Sequence, residues 1–195
     1  NATVTQLATT ELLLIRHAPA LTEGRMAGRR DVAADCRDGG AIAALRVAVG
    51  SFDHLVISPA LRCRQTAAAL WPELQAETDA RLWEQDFGAW EGLPFADLPD
   101  LGPLALPELA AHCPPGGESF LWLSHRATPP LQDAIALRGR VVIIAHAGII
   151  RATLGMALGA PSQGLAFQIA PLSLTTMTAL PGGAFSISGV NRIWR

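Results

Sequence analysis

Three short, uninterrupted apolar runs do most to limit what this chain can fold into. They are Leu12-Leu13-Leu14-Ile15 behind Glu11, Leu55-Val56-Ile57 behind His54, and Val141-Val142-Ile143-Ile144-Ala145. A strand with one face on the core alternates apolar and polar residues, whereas a strand covered on both faces does not. The runs are strand-length, and the third is the clearest because β-branched residues dominate it. Helical patterns separate them: 41–49 closing at Gly50, 61–71 between Ser58-Pro59 and Pro72, and 148–158 ending near Gly159 and Pro161. Strands alternating with helices predict an α/β fold, a doubly wound, mostly parallel sheet with helices on both faces. Residues 172–180 and 184–190, separated by Pro181-Gly182-Gly183, read as a hairpin-like pair. The stretch 87–130 carries Leu93-Pro94, Leu98-Pro99, Gly102-Pro103, Leu106-Pro107 and Cys113-Pro114-Pro115-Gly116-Gly117, and reads as a cap insertion of short helices and loops. The expectation is one domain over 1–195 with that cap.

Composition narrows the function. Half of the 195 residues are hydrophobic and 16% are charged, enough for a sizeable core. Fifteen basic against 17 acidic residues, net −2, argues against a nucleic-acid coat. Every basic residue is Arg. With no Lys in the sequence, a Schiff-base lysine, a pyridoxal-phosphate anchor and a P-loop are excluded, and with no Tyr so is a tyrosine nucleophile. Cys36, Cys63 and Cys113 are far apart and in no CxxC arrangement, which fits reduced thiols better than a disulfide or zinc framework. His54, His112 and His125 lack metal-ligand spacing, so no metal and no cofactor is expected. No apolar run approaches the roughly 18 residues a membrane helix needs. The opening Asn1-Ala2-Thr3-Val4-Thr5-Gln6 lacks the basic start and apolar stretch of a signal peptide, so the expected location is cytoplasmic. The sequence leaves the oligomeric state open, a homodimer included.

In open α/β sheets ligands bind beyond the carboxyl ends of the strands. Arg16-His17 follows the first run, Ser58-Pro59 and then Arg62 follow the second, and His146 with Ala147-Gly148 follows the third. Two His and two Arg thus converge on one rim. Guanidinium forks match phosphate oxygens, and a helix N-terminus at Ala147 adds N–H donors. Nearby arginine charge disfavours imidazolium, so a His there can attack phosphorus as the neutral ring. A leaving alkoxide also needs a proton. Leu82-Trp83-Glu84-Gln85-Asp86-Phe87-Gly88-Ala89-Trp90-Glu91-Gly92 sets carboxyls beside large apolar side chains, which favour the protonated acid.

Five blocks resemble the histidine phosphatase (phosphoglycerate mutase-like) superfamily and follow its order. They are Leu14-Ile15-Arg16-His17, Ser58-Pro59-Ala60-Leu61-Arg62-Cys63-Arg64-Gln65-Thr66-Ala67, Glu84 with Phe87-Gly88-Ala89-Trp90-Glu91-Gly92, Pro115-Gly116-Gly117-Glu118-Ser119, and Ile144-Ala145-His146-Ala147-Gly148-Ile149-Ile150-Arg151. The resemblance implies His17 as the phosphorylated nucleophile, Arg16, Arg62 and His146 as the phosphate pocket, and Glu84 as the proton donor that later activates water. It also implies the Ala147 N–H as a further donor to phosphate. The Phe-Gly-x-Trp-Glu-Gly wording is most similar to α-ribazole phosphatases of the cobalamin pathway and their broad-specificity relatives. The implied activity is hydrolysis of a small-molecule phosphate monoester, with a phosphoglycerate mutase and a non-catalytic phosphate-binding relative as the alternatives.

Departures from the family pattern bear on substrate choice. Ala18-Pro19-Ala20 stand where Gly, Glu and Thr are usual, and Glu23 stands where an Asn commonly meets phosphate; Thr22 or Arg25 would then take that place. Arg25, Arg29 and Arg30 are read either as contacts to a second anionic group or as solvated charges. Asp86, Glu91 and Glu118 are alternatives to Glu84 as the acid. Trp83, Phe87 and Trp90 are read as packing, Arg64 and Arg151 as surface or ion-pair residues, and Cys63 as unreactive. The apolar, Pro-rich cap favours a substrate with an uncharged or aromatic portion.

Overall fold

In the computed structural model, which describes residues 9–195, the three apolar runs form the centre of a six-stranded sheet. The polar opening 1–6 lies outside the described residues. Strand β1 (Thr10–Arg16) leads to helix α1 (Gly39–Val49), β2 (His54–Ile57), α2 (Leu61–Leu70) and a two-residue β3 (Glu77–Thr78). Short 3-10 turns and α3 (Leu106–Ala111) precede the 17-residue α4 (Phe120–Ala136), then β4 (Gly139–Ala145), α5 (Ala147–Leu158), and the pair β5 (Leu174–Ala179) and β6 (Phe185–Arg192). The strand order is β3-β2-β4-β1-β5-β6. β1, β2, β3 and β4 run parallel, while β5 is antiparallel to both β1 and β6. The sheet is therefore mostly parallel with an antiparallel hairpin on one edge, as the sequence pattern predicts.

Burial explains the uninterrupted runs. Leu12, Leu14, Val141, Ile143 and Ala145 pack under α4 and α5. Leu13, Ile15, Leu55, Ile57, Val142 and Ile144 face α1 and α2 on the other side. The register, Leu12 opposite Val141 and Leu13 opposite Val142, places both alternating sets in step. Parallel pairing of β1 and β2 with β4 also puts Arg16, Ile57 and Ala145 at one edge of the sheet, and the site grows from there.

Two elements differ from the expectation. The stretch 87–130 is not loops and short helices to its end, because α4 begins at Phe120 and runs through Pro129 and Pro130. An interior proline costs a helix about 3 kcal/mol. Here Phe120, Leu123, Ala127, Leu131 and Ala134 are all buried beneath the sheet, and a large buried side chain contributes roughly 1.5–3 kcal/mol. Packing outweighs the prolines. The second difference is β3, too short to carry a periodic signal. Among the described residues, no helix is long and apolar enough to cross a membrane.

Candidate active site

His17 is the first residue beyond β1, and its backbone N–H still bonds the Ala145 carbonyl, 3.1 Å away, at the end of β4. Its ring is 4% exposed. Nδ1 lies 2.7 Å from the Ala18 carbonyl oxygen, which can only accept, so Nδ1 carries the proton and Nε2 carries the lone pair. Burial, with the Arg62 and Arg16 charges adding to it and the Ala18 bond opposing, pushes the ring's pKa down to about 3. The imidazole is neutral, with its basic nitrogen facing Arg62, whose Nε is 3.3 Å away.

Arg62 is 1% exposed, which an arginine tolerates only when its donors are satisfied. Nη1 donates to the Arg30 carbonyl at 3.0 Å and Nη2 to the Gly28 carbonyl at 2.7 Å, so the guanidinium that faces His17 also anchors the loop after β1. A Cβ at Gly28 would run into the Gln85 carbonyl and Phe87, so only glycine permits this approach. Thr66, one turn along α2, completes the frame: its hydroxyl donates to the Arg62 carbonyl at 2.7 Å and accepts the Ala18 N–H at 2.9 Å. The motif residues Gln65-Thr66 thus have a mechanical task, Gln65 Oε1 accepting the Ala34 N–H at 2.7 Å.

His146 ends β4 and is fully buried, its ring centroid 5.2 Å from that of His17. Burial, reinforced by His17, Arg62, Arg16 and Arg126, drives its pKa well below the ordinary value. Its Nε2 is 2.8 Å from Ser58 Oγ. Ser58 Oγ can give its proton to that nitrogen while accepting the Ala60 N–H at 3.3 Å. In that arrangement His146 Nδ1 is an N–H donor, buried and without a partner among the described residues. Cys63 Sγ lies 3.7 Å from the same Nε2, and burial holds its thiol up at about 12, so it is protonated and unreactive. Arg16 bonds the Ile169 carbonyl through Nη1 at 2.6 Å, while its buried Nε has no partner among the described residues. Burial lowers its pKa, with Glu84 opposing that shift and Arg151 and Arg62 adding to it.

Glu84 lies across from these groups. Its carboxylate accepts the Gly148 N–H at 3.1 Å, in the first turn of α5, and the Gln85 N–H at 2.8 Å. A Cβ at Gly148 would collide with Glu84 Oε1. The other candidate acids are all engaged in scaffolding. Glu91 accepts the successive N–H groups of Gly28, Arg29 and Arg30 at 2.7–3.3 Å. Asp86 accepts the Gly88 N–H at 2.8 Å, and Glu118 pairs with Arg126. Of the four carboxylates, Glu84 is the one that meets the head of α5 beside His146.

The structure gathers Arg16, His17, Arg62, Glu84, His146 and the N-terminus at Ala147. Thr22 and Arg25 stand apart. Thr22 closes a turn by accepting the Arg25 N–H at 3.1 Å, and Arg25 Nη1 donates to the Gly92 carbonyl at 2.9 Å. Among the described residues neither bonds a member of the pocket; the loop's attachment to 92–94 draws Arg25 to the cap. Glu23 is exposed at the tip of this turn with a φ of 54°. Ser58, Thr66 and Arg126, to which the sequence reading gave no role, hydrogen-bond to His146, Arg62 and Glu84 respectively.

Residues 12–192 match the family described as histidine phosphatase superfamily, branch 1. The bifunctional protein Rv2228c of Mycobacterium tuberculosis is 34% identical over 200 residues, a match covering 94% of this chain and 54% of that protein. The chain therefore spans about half the length of such curated relatives. The solved structure of mycobacterial glucosyl-3-phosphoglycerate phosphatase Rv2419c with VO3 is 25% identical, covers 93% of this chain and 98% of its own, and superposes with a TM-score of 0.80. A putative α-ribazole-5'-P phosphatase from Escherichia coli, 20% identical over 94% of this chain and 96% of its own, superposes at 0.79 and shows the shared fold. With the family match running over nearly all of β1 to β6, the chain belongs to the histidine phosphatase superfamily.

Proposed function

We propose that this chain is a phosphomonoesterase that hydrolyses small-molecule phosphate esters through a phosphohistidine on His17. The observation that carries this reading is the state of the His17 ring: Nδ1 bonded to the Ala18 carbonyl at 2.7 Å, and a neutral Nε2 turned toward Arg62. In the first step the Nε2–P bond forms as the ester P–O bond breaks. The leaving oxygen takes a proton from the Glu84 carboxyl. The unpartnered Arg16 Nε and His146 Nδ1, with Arg62 Nε and the Ala147 N–H, supply donors for the equatorial oxygens, where charge develops. In the second step Glu84 takes a proton from water, the water oxygen bonds phosphorus, the P–N bond breaks, and inorganic phosphate leaves.

The leaving group is proposed to be broad. The Phe87-Gly88-Ala89-Trp90-Glu91-Gly92 wording that resembles α-ribazole phosphatases builds the junction between the loop at 28–30 and the cap, a task any substrate would need. α-Ribazole 5'-phosphate and glucosyl-3-phosphoglycerate are the first natural esters to try, beside an aryl phosphate and the phosphoglycerates. The test is phosphate release with chelator present, by the wild type and by His17→Ala. Release by the wild type alone, with an acid-labile, base-stable phosphoryl group trapped on His17, supports the proposal. Isomerisation of phosphoglycerates without net release would instead make the chain a mutase, and anion binding without turnover a non-catalytic relative.

A further inference from the structure

The segment that carries Glu84 has no strand or long helix to hold it: beyond β3 the chain makes a single 3-10 turn, Ala80–Leu82, and continues irregularly to Phe87. A proton donor must still be held to a few tenths of an ångström. Arg126, on α4, approaches this segment from below with its side chain only 18% exposed. Nη1 donates to the Arg81 carbonyl at 2.7 Å and the Trp83 carbonyl at 2.9 Å, and Nη2 to the Glu84 carbonyl at 3.3 Å. The same guanidinium grips Glu118 with both edges, Nη2 to Oε1 at 2.5 Å and Nε to Oε2 at 3.3 Å.

Glu118 is 8% exposed and takes hold of the segment's far end. Its Oε1 accepts the Asp86 N–H at 3.1 Å, its carbonyl accepts Gln85 Nε2 at 2.8 Å, and its own N–H donates to the Asp86 carbonyl at 2.8 Å. Arg29, from the loop after β1, donates through Nε to the Glu84 carbonyl at 2.9 Å and lies 3.7 Å from Glu118 Oε1. Every backbone carbonyl from Arg81 to Glu84, except that of the buried Leu82, is thus held by an arginine fork. Arg126 reaches three of them in a planar geometry that no lysine could copy.

We infer that Arg126 and Glu118 form a clamp that positions Glu84 for proton transfer, making both positioning residues for the reaction. The inference rests on the phosphomonoesterase reading above. Neither side chain touches the reacting phosphoryl group. The clamp fixes the backbone of Glu84, and the Gly148 N–H then orients its carboxyl toward the leaving oxygen.

A clamp on the acid has a signature that a merely structural pair lacks. A basic alkoxide leaves only if it is protonated as the P–O bond breaks, whereas a dinitrophenolate leaves without help. The experiment measures single-turnover release of the alcohol or phenol, which reports the first step alone, from alkyl, phenyl, nitrophenyl and dinitrophenyl phosphates. It uses the wild type and the double variant Arg126→Met with Glu118→Gln, which removes both buried charges together. The expected loss is on the order of 10²-fold for alkyl phosphate, as for a misplaced catalytic group, and less than about 3-fold for dinitrophenyl phosphate. Because the double variant could fail to fold, Arg126→Ala with added guanidinium is measured alongside, and its single-turnover alcohol release from alkyl phosphate should recover while dinitrophenol release stays unchanged. Equal losses on all four esters, or no loss on any, would overturn the clamp while leaving the phosphatase reading standing. A wild type without His17-dependent release would overturn that reading and the clamp with it.

Discussion

The two halves of the site are built by different means. His17 and His146 sit just past β1 and β4, where the sheet ladder fixes their backbones, and Arg62 sits at the start of α2 beside them. Glu84 sits in irregular chain and is held by donors from elsewhere: Arg126 on α4, Arg29 on a loop, Gly148 at the head of α5. In the function proposed above, the first half places groups that bind and attack phosphorus, a task common to every ester. On the same proposal the second places the proton donor, whose weight in the first step depends on the leaving group. Perturbing the first half should slow leaving-group release from all substrates alike, and perturbing the second should slow that release most for poor leaving groups.

The largest expected effect separates the halves by acid. His17 and His146 are buried as neutral rings, with folded-state pKa values of about 3 and well below the ordinary value, respectively. In the unfolded chain both take up protons near pH 6.5. The unfolded state then binds more protons than the folded one, so stability is complete above about pH 6.5 and is lost as pH falls toward 3. A ring that stays neutral in the folded chain contributes a slope of about 1.4 kcal/mol per pH unit. Urea unfolding at pH 7, 6, 5 and 4 checks this. His17→Asn should show about half the wild-type loss per pH unit, and identical slopes in the two proteins would refute the assignment.

Glu91 joins the halves, and its loss comes next in size. Its carboxylate collects the N–H groups of Gly28, Arg29, Arg30 and Phe87, while the carbonyls of Gly28 and Arg30 receive Arg62. Glu91→Ala leaves those donors without an ionised acceptor, at a cost of about 2–3 kcal/mol. In a chain of this length that lowers the melting temperature by about 5–10 °C. Because Arg62 lies downstream of the loop, alkyl and aryl phosphates should lose turnover together. A loss confined to alkyl phosphates would assign Glu91 to the acid half instead.

How much of this was legible in the sequence follows the same division. Arg16, His17, Arg62 and His146 could be placed because each abuts an apolar run or helix start, and period is a signal that sequence carries. Even β2 and the ends of α1 and α5 fell close to their expected limits. Glu84 is favoured over Asp86, Glu91 and Glu118 in the sequence by the family resemblance alone, since all four are carboxylates beside apolar residues. What separates them is which backbone amide each one meets. Such bonds join residues tens of positions apart, as Glu91 with Gly28 or Arg126 with Trp83, and leave no periodic trace. The start of α4 was missed for a related reason. Its prolines are local breakers, and the core packing that overrides them is a long-range fact.

The smallest effect tests whether the strand-end half relies only on the ladder. Thr66 reaches from α2 to the chain just past β1, accepting the Ala18 N–H and donating to the Arg62 carbonyl. Ala18 is also the residue whose carbonyl sets the His17 tautomer. Thr66→Val keeps the shape and removes both bonds, leaving the Ala18 N–H buried and unpaired at a cost of about 1–2 kcal/mol. With its carbonyl partner free to tilt, His17 should lose about 10-fold in turnover, to the same extent on alkyl and dinitrophenyl phosphates. Thr66→Ser retains the hydroxyl and should stay near wild type in rate. A Thr66→Val enzyme with unchanged rate would mean that the β1–β4 ladder alone fixes the nucleophile. A loss larger on alkyl phosphates would mean instead that α2 also reaches the acid half, and the two regions would then be one mechanical unit.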